Sequence, residues 1–147
     1  MIYVASSWRN EWQPIVVSGL RMAGFKVFDF RDNDAMFHWR EIDERWRFWD
    51  FEKCQRAMDH DLAKRAFQVD FGALTKATTV VLVMPCGRSA HLELGWAIGR
   101  GLPTAILHDR LMPVDPELMH NMADLQTPHL ATVISFLKQS TDEDKRE

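Results

Sequence analysis

The chemistry in this sequence gathers around one turn and a few carboxylates. Residues 80–101 read VVLVMPCGRSAHLELGWAIGRG, and Glu93 stands there between Leu92 and Leu94. A solvated helix face would not place a carboxylate between leucines, so Glu93 is expected near a site or in a buried ion pair with a residue such as Arg31. Ahead of it, Gly87-Arg88-Ser89 opens a helix. Free N–H groups and one guanidinium there could cradle an anion or sugar hydroxyls, although a plain strand-to-helix turn reads the same way. The turn has neither the Gly-Lys-Ser/Thr ending of a P-loop nor dinucleotide GxGxxG spacing. Three further acids, Asp29, Asp32 and Asp70, fall within reach of the same edge. Asp29 and Asp32 have a simpler reading as caps or loop hydrogen-bonders. Two carboxyls in different environments can divide acid and nucleophile roles at one sugar carbon.

The elements that must position these groups follow from the pattern. Val80–Met84 is a short β-branched run of the kind buried on both faces of a parallel sheet. Ser89 is expected to cap the next helix, with Ala90, Leu94, Ala97 and Ile98 inward, and Gly101 and Pro103 ending it. Glu93 would then sit in the early turns, where backbone N–H groups favour its ionised form by about 0.3–1 kcal/mol. Met1–Ser6 is a strand, followed by the loop Ser7-Trp8-Arg9-Asn10 and a helix to about Ala23. That helix should turn Ile15, Val16, Leu20 and Ala23 inward, with Pro14 tolerated in its first turn. Phe25–Phe30 is a second strand, so right-handed βαβ logic holds. Asp32–Trp49 reads as a loop and short helix, Ile42, Trp46 and Trp49 sharing a face. A longer helix is expected over about Asp50–Phe67, with Cys54, Met58 and Leu62 inward. Asp70 should open a short one ending near Ala77. Thr104–Leu107 is a fourth strand, Glu117–Met122 a helical turn, and Ala123–Gln126 a marginal fifth strand. A last helix starts near Thr127-Pro128 and runs to about Lys138. The expected fold is α/β, a flavodoxin-like, Rossmann-like doubly wound parallel sheet of four to five strands with helices on both faces. One domain should occupy residues 1–138, and residues 139–147 a charged, mobile tail.

Composition narrows the partners. The 147 residues are 46% hydrophobic and carry a net charge of −3, which gives no basic footprint for a nucleic-acid polymer. No apolar run approaches the roughly 18 residues of a membrane span. Two cysteines, Cys54 and Cys86, without a leader pattern read as reduced thiols of a cytoplasmic protein. The six histidines show no metal-binding spacing, and no metal or other cofactor is expected. Six Trp and nine Phe against one Tyr is a heavy aromatic load, fit for a core and subunit contacts or for lining a base-sized pocket.

On these residues the sequence resembles the nucleoside 2-deoxyribosyltransferase family. The matching pieces are Ile2-Tyr3-Val4-Ala5-Ser6-Ser7-Trp8, Asp29-Phe30-Arg31, Asp70 with Ala73-Leu74, Pro116-Glu117-Leu118-Met119 with Met122-Ala123-Asp124, and above all PCGRSAHLELGWAIGRG. They span nearly the whole chain except the tail. The resemblance implies that Glu93 attacks C1′ of a 2′-deoxyribonucleoside and that Asp70 protonates or hydrogen-bonds the leaving base. It implies that Gly87, Arg88 and Ser89 hold the sugar end, and that Tyr3 and Trp8 lie near sugar and base. Ser7, Asp29 and Arg31, within the matching pieces, join them as candidate substrate contacts, and Asn121 would reach a neighbour's site. The implied partners are a nucleoside or nucleotide, a free nucleobase and further copies of the chain in a dimer or larger homo-oligomer. Two other readings stay open. Arg88 would suit a 5′-phosphate and hence hydrolysis of a deoxynucleoside 5′-monophosphate. A non-catalytic nucleotide sensor could keep the fold and pocket, although binding alone does not need Glu93.

Overall fold

The run of β-branched residues that begins at Thr79 forms the middle of the sheet. The computed structural model describes residues 1–143; residues 144–147, part of the expected tail, lie outside the described residues. Five strands, β1 (Ile2–Ala5), β2 (Val27–Asp29), β3 (Thr79–Val83), β4 (Thr104–Leu107) and β5 (Leu125–Thr127), lie in the order β2-β1-β3-β4-β5. All pairings are parallel, with Val4 opposite Asp29, Ala5 opposite Leu82 and Val83 opposite Leu107. This is the doubly wound order whose direction of winding reverses between β1 and β3. The marginal fifth strand exists, displaced to Leu125–Thr127.

The chain forms two compact units, Met1–Asp29 with Lys76–Glu147, and Phe30–Thr75. The first holds the sheet and three helices, α1 (Gln13–Met22), α4 (Arg88–Gly99) and α5 (Leu130–Glu143). Alternation along the strands divides the core. Ile2, Val4, Val81, Val83, Ala105 and Leu107 meet Val16, Val17 and Leu20 of α1 and Val133 and Leu137 of α5. The alternate residues Tyr3, Val80, Leu82 and Ile106 face the other way, and α4 packs against β1, β3 and β4.

The helices correct the sequence reading in four places. The inward face of α1 is Gln13, Val16, Val17 and Leu20, whereas Ile15 is 62% exposed and Ala23 only half-buried. The stripe starts one turn earlier than the apolar residues alone indicate, because a glutamine occupies its first position. The start of α4 is also earlier. Gly87 is its N-cap and no side chain caps it, so Ser89 lies exposed in the first turn rather than at the cap. The stop is as expected, with Gly101 at φ +71°. At the C-terminal end, α5 continues past Lys138 to Glu143.

The second unit carries the fourth correction. Its helices are α2 (Phe51–Met58) and α3 (Asp61–Leu74), so the break falls at Asp59-His60 and Asp70 sits inside a continuous helix. Each start has a side-chain cap: Asp50 accepts from the Lys53 N–H at 2.9 Å, and the His60 ring from the Leu62 N–H at 3.2 Å. The inward positions are Ala57, Ala63, Ala73 and Leu74, while Met58 is exposed and Cys54 and Leu62 are half-buried. Ahead of α2, the aromatic segment forms two 3₁₀ turns, Trp39–Glu41 and Trp46–Phe48, rather than one helix. Edge-to-face contacts of Trp39 with Phe37 and with Trp49 replace the shared helical stripe.

Candidate functional site

At the reversal of the sheet, the loops after β1 and β3 emerge side by side. Asn10, only 4% exposed, ties them together. Its amide nitrogen donates to Ser6 Oγ at 3.1 Å and to the carbonyls of Val83 and Pro85 at 3.3 and 3.2 Å. The Ser6 hydroxyl donates to the same Val83 carbonyl at 2.8 Å. Asn10 Oδ1 accepts from the Trp12 N–H at 2.9 Å, leading the chain into α1. One buried side chain thus fixes the relative position of Ser7 and Trp8 on one loop and of Cys86 and Gly87 on the other.

The turn 87–89 leads into the uncapped start of α4, with Gly87, Arg88 and Ser89 all exposed. First-turn N–H groups without a side-chain cap are the donors an anion or hydroxyl would use. Glu93 is half-buried in the second turn. Leu92 is 75% exposed and only Leu94 is buried, so Glu93 sits at the margin of the helix's inner face and not inside an apolar stripe. With the helix beginning at Arg88, the field of the helix end has also largely decayed at Glu93. Its charge is felt by Cys86: burial first, and Glu93 second, push that thiol up to about 12.

The other expected contacts divide between the units. In the first, Tyr3 is 1% exposed and stacked on Phe28 at 5.3 Å, which makes its ring part of the packing. Ser7 is half-buried and Trp8 exposed. Asp29, at the end of β2, accepts a 2.9 Å hydrogen bond from the fully buried Gln13. Asn121 is exposed on the 3₁₀ turn Leu118–Met122, its oxygen accepting from Gln126 at 3.4 Å. The second unit holds Arg31, its guanidinium 5.8 Å from the Phe30 ring centre, in an open cleft of about 550 Å³ lined also by Asp32, Asp34 and Arg65. It also holds Asp70, whose carboxyl burial pushes up to about 6. A carboxyl with that value keeps a proton much closer to neutrality than an ordinary aspartate does, the property a general acid needs.

Sequence reasoning missed Asn10, Gln13 and a group of imidazoles. His91 on α4 and His120 on the 3₁₀ turn approach Nε2 to Nε2 at 3.0 Å, and His108 lies 5.8 Å from His120 between ring centres. Spacing along the chain gives no signal for such a group, because its members come from three segments. Among the described residues, no group of three or more His, Cys, Asp or Glu could hold a metal ion, and no helix is long and apolar enough to cross a membrane.

No protein-family model matches the sequence, and no curated protein matches it by sequence. The fold does have solved counterparts. One is a 2-deoxyribosyltransferase from Bacillus psychrosaccharolyticus, which superposes with a TM-score of 0.62 over 90% of this chain and 89% of its own, at 20% identity. A likeness that spans nearly both chains at so low an identity establishes shared architecture: this chain has the α/β fold of that 2-deoxyribosyltransferase.

Proposed function

We propose that the chain is a nucleoside 2-deoxyribosyltransferase, cleaving the N-glycosidic bond of a 2′-deoxyribonucleoside and passing the sugar to a second base. The observation that carries this reading is Glu93 on α4, behind an uncapped helix start at the β1/β3 reversal of a sheet shared with a 2-deoxyribosyltransferase. In the first half-reaction, a Glu93 carboxylate oxygen bonds to C1′ as the C1′–N bond breaks. The electron pair of that bond goes to the base nitrogen. The Asp70 carboxyl gives its proton to the departing base. In the second half-reaction, a nitrogen of the incoming base attacks C1′, the ester to Glu93 breaks, and the incoming base returns a proton to Asp70. Charge developing on the sugar is cationic, and a carboxylate at C1′ both stabilises and captures it.

The remaining assignments follow the same scheme. Gly87, Arg88 and Ser89 hold the sugar end, Ser7 and Trp8 the sugar and base from the neighbouring loop, and Tyr3 backs that wall. Asp29, Arg31 and Asn121 complete the proposed contacts, Asn121 from a neighbouring copy in a homo-oligomer. The substrates are a nucleoside and a free nucleobase. The scheme asks nothing of a metal or redox cofactor.

The exposed Arg88 beside free helix N–H groups supports a second reading, in which a 5′-phosphate is bound and water replaces the acceptor base. One incubation separates the readings. Deoxyinosine or its 5′-monophosphate is mixed with the protein, with and without adenine, and bases are followed by chromatography. Exchange that requires adenine establishes transfer. Release independent of adenine establishes hydrolysis. Neither outcome would leave a binding protein and overturn the proposed reaction.

A further inference from the structure

The imidazoles of His91 and His120 lie nearly parallel, 6° between planes, with ring centres 5.3 Å and Nε2 atoms 3.0 Å apart. Rings that touch tip to tip at those two separations lie edge to edge in almost one plane, each Nε2 aimed at the other. A shared metal ion does not fit, since it would have to enter between nitrogens already at hydrogen-bond distance. The contact is an N–H···N bond, and its direction follows from the remaining partners. His91 Nδ1 is 3.0 Å from the Gly87 carbonyl oxygen, which can only accept. His91 Nδ1 therefore carries the hydrogen, Nε2 of neutral His91 is the acceptor, and His120 Nε2 is the donor.

We infer that this imidazole bridge is a proton-sensitive latch that positions the candidate site, fastening the turn carrying Asn121 to the Gly87 carbonyl at the head of α4. Two links make the chain: His120 immediately precedes Asn121, and His91 grips Gly87 inside the turn that holds Arg88 and Ser89. Gln126 adds a brace, donating to Asn121 Oδ1 at 3.4 Å while its own oxygen accepts from His108 Nε2 at 3.3 Å.

The proton arithmetic sets how the latch opens. One extra proton, taken by His120 at Nδ1, leaves Nε2–H donating to His91 and keeps the bridge. A second proton, on His91 Nε2, puts two N–H groups head to head and breaks it. The groups around His120 oppose charge on that ring, the first of the pair to take a proton. Burial first, then His91 and His108, disfavour charge on His120 and together outweigh Glu117, which favours it, so His120 is held below its ordinary histidine value. On the other side His91 faces the Cys86 sulfur at 3.5 Å, which stays a neutral thiol. His91 and His120 are in this view positioning residues, and the catalytic consequence rests on the reaction proposed above.

The latch is tested on the whole protein by nitrogen NMR of the histidine rings, assigned with His120→Gln. At pH 8 the expected result is opposite tautomers, Nδ1–H for His91 and Nε2–H for His120, with proton uptake in two separated steps as pH falls. Two Nε2–H tautomers, or two rings whose proton uptake is independent of each other, would overturn the latch whatever the protein catalyses. Kinetics then reads the positioning. His120→Phe should raise KM for the deoxynucleoside about threefold to tenfold with kcat little changed, the scale of one lost hydrogen bond. His120→Gln, whose amide can still donate to His91, should recover most of that loss and weaken the rise of KM on acidification that the wild type is expected to show. An unchanged KM in a folded His120→Phe protein would refute the positioning role. Absence of base release from the wild type would sink the proposed reaction and leave the NMR test of the latch in force.

Discussion

Asp70→Asn separates an acid catalyst from an ordinary helix aspartate, because it should move stability and turnover in opposite directions. Burial lifts the Asp70 carboxyl from 3.8 to about 6. Between those values the folded chain binds a proton that the unfolded chain has released, so wild-type stability falls as pH rises through this window. At 1.36 kcal/mol per pK unit, the full cost of the ionised form would be about 3 kcal/mol. Asp70 retains part of its solvent contact, and screening lowers that to about 1–2 kcal/mol. Asparagine has almost the same shape and no charge to bury. Urea unfolding should therefore find Asp70→Asn more stable than wild type by about 1–2 kcal/mol at pH 8, with the gap closing below pH 4. Base release by the same variant should drop about 10²–10⁴-fold, the range of general acid catalysis. In the wild type, kcat/KM should decline above pH 6 as the acid form empties. A variant that is less stable at pH 8, or that keeps full turnover, would refute the assignment.

Three further outcomes follow from the same geometry. Glu93→Gln should abolish base release with little loss of melting temperature, whereas half of a buried ion pair would cost about 3–5 kcal/mol on removal; quenched wild-type protein should gain the mass of one deoxyribosyl unit at Glu93. If Arg88 holds a 5′-phosphate, Arg88→Ala should weaken monophosphate binding by about 1.5–3 kcal/mol in calorimetry, and affinity unchanged from the wild type for both substrate types would make Arg88 structural. Leu111, Met112, Val114, Leu118, Met119 and Met122 are all exposed in one short segment, so sedimentation at micromolar concentration should find a homo-oligomer with this segment in its contacts. A fully active monomer would contradict that.

The central strands were legible in the sequence because burial on both faces leaves a local mark, an apolar and largely β-branched run such as Thr79–Val83. Helix faces were less so. The stripe of α1 begins with Gln13, a residue that no hydrophobic pattern selects, and its role depends on Asp29 at the end of another strand. The break between α2 and α3 was hidden because its cap is a histidine ring, outside the usual capping residues. At the site, the motif around Glu93 could be read but the surroundings of its side chain could not, since Leu92 faces outward and only Leu94 is buried. The Asn10 clamp and the His91–His120 bridge join residues remote in sequence. Only the fold brings such partners within 3.3 Å of each other.

The Cys86 thiol offers an electrical readout of what happens at its neighbour. Part of its resistance to ionisation comes from the negative charge on Glu93. Esterification of that carboxylate by a sugar would cancel the charge and make the thiol more acidic. At a fixed alkaline pH, the rate of alkylation at Cys86 would then rise whenever the glycosyl ester accumulates and fall as an acceptor base discharges it. The protein would carry its own reporter of covalent occupancy, one that needs no labelled substrate and follows the lifetime of the ester in real time.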